Sequence, residues 1–319
     1  MMTLVRNRFD AMGTECSMAV TAPIWAGARA RLALEAALAE VAAQELALSR
    51  FDPASDLMKL NEDAGDWQPA GDRLYTAVEA AVRARAATGG RYDPTVLPAV
   101  IAAGYDTTYT ELRRRPVQAP RGWCAAGHID LDPVERRIRL AEGTSIDLGG
   151  IGKGLSATAA VNAMRRSWPE MPGGLVDLGG DIAVTGSAPD RGPWRIDIAD
   201  PRDHDRRLGT LALASGGVAT SGRDRRRLGL RGEGHHLIDP ATGRPAAPGP
   251  LSVTVVAPSA GEAEAHATAL AIMPLDQGAA YLAGRPRLSA IVVPATRPPF
   301  TIGRPPLLAW TPGGREVAA

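Results

Sequence analysis

The stretch Asp147-Leu148-Gly149-Gly150-Ile151-Gly152-Lys153-Gly154 sets four glycines and a lysine ahead of the helix-compatible run from Leu155 to Arg166. Glycine lets a backbone turn sharply and come close to a phosphate, and a following helix adds N–H donors and the positive end of its dipole. Lys153 adds a formal charge. Only Lys59 and Lys153 are lysines in a chain otherwise supplied with arginine, and a compact ammonium does not interchange with a planar guanidinium. The glycine order matches neither the P-loop nor the dinucleotide fingerprint. A tight structural turn and a phosphate site therefore both stand as readings of this segment.

Three more constellations hold reactive side chains. In Leu175-Val176-Asp177-Leu178-Gly179-Gly180-Asp181 a strand breaks at a glycine pair and leaves two carboxylates beside flexible backbone. A bulge with solvated aspartates is the structural alternative, preferred for Asp177, with Asp181 open. After Ala219-Thr220-Ser221-Gly222 comes His235-His236-Leu237-Ile238-Asp239-Pro240-Ala241-Thr242-Gly243. Its stiff turn can hold an imidazole in one orientation, and a neutral imidazole accepts the proton of an attacking hydroxyl. A structural histidine pair is the alternative, and no Cys or third His is spaced for zinc. In Glu264-Ala265-His266-Ala267-Thr268, Glu264 and Thr268 share one helix face and can offer hard oxygen ligands to a cation such as Mg2+, while His266 points elsewhere. An exposed face where both meet solvent is the alternative.

The elements that position these groups are read from periodicity. The spacing predicts a helix over 28–48, then a loop with an Asp52-Pro53 turn and a short apolar stretch ending at Asn61. Leu74, Val78, Ala81 and Val82 mark a helix that stops at Thr88-Gly89-Gly90, before Arg91-Tyr92-Asp93. A hairpin is expected over 129–140, and a short extended run over 144–147. Beyond residue 170 strands are expected over 175–186, 194–198, 211–214, 252–257 and 288–293, interrupted by one helix over 262–273. Strands and helices do not alternate regularly, which favours an α+β fold over a doubly wound parallel sheet.

With 319 residues, 45% of them hydrophobic, the chain can bury a large core. One domain over 1–319 is expected, or two intimately packed subdomains. A net charge of +1 argues against a coat for nucleic acid or an acidic membrane. Cys16 and Cys124 are too few and too distant for a disulfide or metal framework and read as small apolar fillers. No run suits a signal segment or a span of ~20 apolar residues, so a cytoplasmic protein without a membrane segment is expected.

Eight stretches, taken in order, resemble the ApbE family of flavin transferases, whose members move FMN from FAD onto a threonine hydroxyl of a target protein. They are AMGTECSM, LSRFDPASDLMKLN, RYDPTVLPAV, IDLGGIGKG, LVDLGGDI, VATSG, HLIDPATGRP and AEAHATAL. The resemblance implies an ApbE-like, T-fold-related α+β architecture of mixed and antiparallel sheets with flanking helices. It implies that Met12, Phe51, Arg91, Tyr92, Asp93, Asp147 and Lys153 line an FAD site. It assigns Mg2+ to the backbone carbonyls of Gly150 and Ala267 and the side chains of Glu264 and Thr268, and makes His236 the catalytic base. The implied activity is an FAD:protein FMN transferase that releases AMP, with FAD and a threonine-bearing protein as partners. An Mg2+-dependent FAD pyrophosphatase and an FAD-binding protein without turnover are the alternatives. Three positions depart from the family's pattern: Glu264 where Asp is usual, Thr158 where Asp often stands, and His266 in place of an apolar residue.

Overall fold

Strict alternation in Trp194-Arg195-Ile196-Asp197-Ile198, apolar members buried and polar ones exposed, makes that run a strand with one wet face. The same period of two organises most of the chain. The computed structural model describes every residue except 109–116, 119–122, 124–126, 224–226, 229–233, 248, 311–314 and 318–319, so Cys124 lies outside the described residues. The first ten strands are β1 (Met2–Ala11), β2 (Thr14–Pro23), β3 (Gln68–Pro69), β4 (Ile129–Asp132), β5 (Arg137–Leu140), β6 (Gly173–Leu178), β7 (Asp181–Gly186), β8 (Trp194–Asp200), β9 (Asp203–Leu213) and β10 (Ser215–Gly222). The rest are β11 (Arg227–Leu228), β12 (Gly234–His235), β13 (Ile238–Asp239), β14 (Arg244–Pro245), β15 (Ser252–Ala257), β16 (Ser289–Val293), β17 (Phe300–Ile302), β18 (Leu307–Trp310) and β19 (Arg315–Val317). The helices are α1 (Gly27–Leu48), α2 (Asp56–Glu62), α3 (Asp72–Ala87), α4 (Leu97–Ala102), α5 (Gly152–Ser167), α6 (Ala260–Ile272) and α7 (Gln277–Ala283).

A nine-stranded sheet runs in the order β1-β2-β6-β7-β10-β15-β16-β17-β19 and is antiparallel except at the β17–β19 edge. Both of its faces are covered. On one, Met18 and Val20 of β2 and Val176 of β6 meet Leu34 of α1 and Met164 of α5. Further along that face, Val255 of β15 and Ala290 of β16 meet Ala267 and Leu270 of α6. Intervening residues face the other way: Ala19, Val184 and Ile291 pack on Ile196 and Leu211 of the smaller sheet β18-β9-β8. Helix α5 lies between α1 and α6. Because α6 is enclosed by strands and helices, it is built largely of alanine and buries nearly every position from Ala260 to Ile272.

This is the expected α+β arrangement, with differences of physical origin. Residues 144–147 join no ladder. The Asn61 side chain takes the place of a partner strand, donating to Ile146 O at 3.0 Å and accepting from Ile146 N at 2.8 Å. The hairpin β1–β2 was not anticipated; it closes through Met12 (φ 51°) and Gly13 (φ 67°), two left-handed residues that give a tight turn matched to the strand twist. A second helix, α7, follows α6 where one was expected. No helix among the described residues is long and apolar enough to cross a membrane.

Candidate functional site

The glycines of the 147–154 turn provide proximity rather than unusual dihedrals, since none of Gly149, Gly150, Gly152 and Gly154 has a positive φ. A Cβ on Gly154 would sit 2.3 Å from the Ala260 carbonyl oxygen, so a side chain there would force α5 and α6 apart. A Cβ on Gly150 would meet the Tyr92 ring at 3.1 Å and Thr268 Oγ1 at 3.3 Å. The start of α5 is also less open than its sequence implies. Gly152 N donates to Leu148 O at 2.7 Å, and Gly154 N donates to Glu264 Oε2 at 2.8 Å.

Glu264 is therefore no solvent-facing residue. It is buried on α6, and its other oxygen lies 3.0 Å from Lys153 Nζ. Asp181, the first residue of β7, contacts the same ammonium. The Lys153 side chain is 18% exposed and both carboxylates only 4%, so this is a buried charge triad with one surplus negative charge. The bulge with solvated aspartates is corrected on both counts. Gly179 and Gly180 form a hairpin turn between β6 and β7 in continuous register, with Gly180 N donating to Asp177 Oδ1 at 2.7 Å. Burial pushes the half-buried Asp177 carboxyl above its ordinary range.

One turn along α6, Thr268 Oγ1 lies 3.3 Å from Ser221 Oγ at the end of β10. His266 points away, as expected, and is hydrogen-bonded to the Tyr281 hydroxyl of α7 at 2.5 Å. Burial first, then the charge of Arg285, lowers its pKa to about 4. Thr158 donates to Gly154 O at 2.9 Å and accepts from Ala260 N at 3.2 Å, so it braces the contact between the starts of α5 and α6.

On the other side of the turn, Asp147 accepts from Gly149 N at 2.9 Å and lies 3.6 Å from Arg50 Nε. The Arg50 guanidinium stacks over Phe51 at 4.1 Å and Tyr105 at 4.5 Å, and Tyr105 meets His236 edge-on at 6.3 Å. Phe51 stays 39% exposed above this charge, a planar apolar platform with a cation behind it. His236 is half-buried, and neighbouring His235 is buried with its pKa lowered to about 4, chiefly by desolvation.

Tyr92 packs against Gly150, whereas its neighbours turn elsewhere. Arg91 donates to Gln277 Oε1 at 3.0 Å, and Asp93 pairs with Arg85 at 3.0 Å while capping Thr95 N at 2.9 Å. Asp93 thus fixes the turn whose Pro94 carbonyl accepts from Asp147 N at 2.7 Å. Met12 N donates to Glu45 Oε1 at 2.7 Å, and the β1–β2 turn meets the β6–β7 turn where Thr14 packs on Gly179. Arg50, Tyr105, Asp181 and Ser221 were not singled out as site residues. Arg50, Asp181 and Ser221 do lie within quoted motifs, but an arginine-rich sequence gives no sign of which guanidinium is buried.

A helix-backed antiparallel sheet gathers a lysine, hydroxyls, buried carboxylates and a histidine around one glycine turn, which defines an α+β protein with a polar site at the turn. Residues 12–292 match the model of the ApbE family, and the chain belongs to that family. It is 30% identical to the FAD:protein FMN transferase of Treponema pallidum over 309 residues, 88% of this chain and 82% of that protein. It is also 30% identical to the FAD:protein FMN transferase of Salmonella typhimurium over 241 residues, 72% of this chain and 68% of the relative. The crystal structure of the ApbE protein of Thermotoga maritima superposes with a TM-score of 0.80 at 28% identity, covering 91% of this chain and 94% of the other.

Proposed function

We propose that this chain is an FAD:protein FMN transferase that moves FMN from FAD to a threonine hydroxyl of a target protein and releases AMP. The observation that supports it most is the joining of two chemical clusters by one short turn. Asp147 meets the Arg50–Phe51–Tyr105–His236 side, and Gly150 to Gly154 meet Thr268, Glu264 and Lys153. In the reaction the threonine Oγ attacks the FMN-side phosphorus, an O–P bond forms, and the bond to the bridging oxygen breaks with its electron pair leaving on AMP. His236 takes the hydroxyl proton. Phe51, backed by Arg50, offers the plane on which the flavin ring stacks, and Lys153 carries positive charge toward the phosphates.

Mg2+ is part of this reading, and the residues fit it. Glu264, Thr268 and the carbonyls of Gly150 and Ala267 offer only hard oxygen donors. Glu264 accepts from Lys153 and Gly154 N, which uses two of a carboxylate's roughly four lone-pair sites. Asp147, Asp181 and Glu264 outnumber Arg50 and Lys153 before any phosphate arrives. When bound, the ion neutralises charge developing on the phosphates.

Incubation with FAD, Mg2+ and a threonine-bearing acceptor peptide should add the mass of FMN to the peptide. His236→Ala should retain FAD binding and lose transfer by about 10²–10⁴-fold. No adduct with any divalent metal would refute transfer. Free FMN and AMP formed without acceptor would identify a pyrophosphatase, and intact FAD would identify a binding protein.

A further inference from the structure

Helix α1 buries one face against β2 and α5 through Ala30, Ala33, Leu34, Ala37 and Val41. The opposite face is apolar too. Trp25, on the single helical turn Ile24–Ala26 that leads into α1, is 81% exposed, Leu32 58% and Leu46 65%, and Ala28, Ala39 and Ala42 beside them are also exposed. Trp25, Leu32, Ala39 and Leu46 recur every seven residues and so form one seam along the helix, at the spacing by which helices pair. A helix that is apolar all round is ordinarily enclosed by protein, whereas α1 is enclosed on one side only. Three large hydrophobes left in line on solvent mark a surface that another molecule covers.

Charges beside the seam say what fits it. Arg31 and Glu35 are exposed, four residues apart on the same side of the seam, and neither has an ion pair among the described residues. A second copy of the helix laid parallel sets Trp25 on Trp25, Arg31 on Arg31 and Glu35 on Glu35. Laid antiparallel about a two-fold axis at Leu32, the two Leu32 side chains meet and the Trp25 end of each helix comes over Ala39 of the other. Arg31 of each copy then stands beside Glu35 of the other. Large side chains face small ones and opposite charges face each other, twice over, which is the self-complementarity a two-fold interface needs. A membrane surface is a poorer match, because Glu35 lies midway along the seam and anionic headgroups repel it.

We infer that the exposed face of α1 is the interface of a two-fold homodimer, with α1 antiparallel to its copy. The contact lies away from the candidate site. Glu45, near the end of α1, accepts from Met12 N of the β1–β2 turn, whereas Arg29 and Leu32 lie beside Trp168, just past the far end of α5 from its glycine turn. A contact centred on Leu32 therefore leaves both glycine turns free, and the dimer does not depend on the transferase reading.

The test is sedimentation equilibrium of the full-length chain at micromolar concentrations, with circular dichroism recorded beside it. The parent should sediment at twice the mass of one chain. Leu32→Glu brings two carboxylates together at the axis and should weaken the dimer about 100-fold or more, while its circular dichroism matches the parent's. Arg31→Glu should weaken it about ten-fold by setting like charges together in both symmetric contacts. Adding Glu35→Arg to Arg31→Glu should restore the parent's affinity, because both contacts are remade with their signs exchanged. A parent that stays monomeric would overturn the inference, and co-sedimentation of that monomer with anionic phospholipid vesicles would assign the face to a membrane instead. A dimer indifferent to Leu32→Glu would place the interface elsewhere on the molecule. Failure of Glu35→Arg to rescue Arg31→Glu would overturn the antiparallel register.

Discussion

Lys153→Met offers a quantitative test of the buried triad. The parent ammonium touches Asp181 and lies 3.0 Å from Glu264, with both carboxylate side chains 4% exposed. At an effective dielectric of about 20, a unit pair at that separation attracts by about 5.5 kcal/mol. Desolvation of the ammonium cancels part of this, and losing one member of a buried ion pair typically costs about 3–5 kcal/mol. Without the lysine, two buried carboxylates are left facing one another. Adding Asp181→Asn removes the repulsion, so in urea denaturation Lys153→Met/Asp181→Asn should be more stable than Lys153→Met alone by about 1–3 kcal/mol. A Lys153→Met loss below 1 kcal/mol, or no rescue by Asp181→Asn, would refute the triad as a coupled unit.

Gly154→Ala should cost about 1–3 kcal/mol in the same assay, because the new methyl meets the Ala260 carbonyl at 2.3 Å and helix backbone cannot rotate away. A change within 0.5 kcal/mol, roughly that of a neutral surface substitution, would contradict the close helix approach. His266 is neutral in the fold with a pKa of about 4 against an ordinary 6.5. Its stabilising contribution is therefore complete above about pH 6.5 and is lost as pH falls toward 4, by up to about 3 kcal/mol. His266→Leu should flatten the stability profile across that window, leaving the share of His235, which shifts in the same direction; an unchanged slope would exclude His266 as a source.

The sequence revealed elements whose partners are local. Apolar residues at helical spacing exposed α1, and a continuous β-branched run bounded β15 at Ser252 and Ala257 as the structure has it. The β1–β2 hairpin escaped because its first strand is half-exposed throughout and shows no clean apolar alternation. Short motifs singled out Gly150, Glu264, Thr268 and Lys153, which the structure brings close together. They did not show that Lys153 and Gly154 N share the Glu264 carboxylate, since those partners are 111 and 110 residues away. Charged residues read as solvated by default, which is why Asp181 stayed open. Arg50 was hidden by abundance: its pairing with Asp147 and its stacking on Tyr105, both far along the chain, set it apart.

The two anchors of the glycine turn also set an order of events during synthesis. Asn61 precedes Ile146 by 85 residues, so the incoming end of the turn can dock as soon as it leaves the ribosome. The outgoing end waits for Glu264, 111 residues behind Lys153, a delay of roughly 5–20 s at ordinary elongation rates. A nascent chain through that interval carries an uncapped α5 and an ammonium without its α6 partner. Under the proposed function, nucleotide capture at this turn then has to follow synthesis of α6.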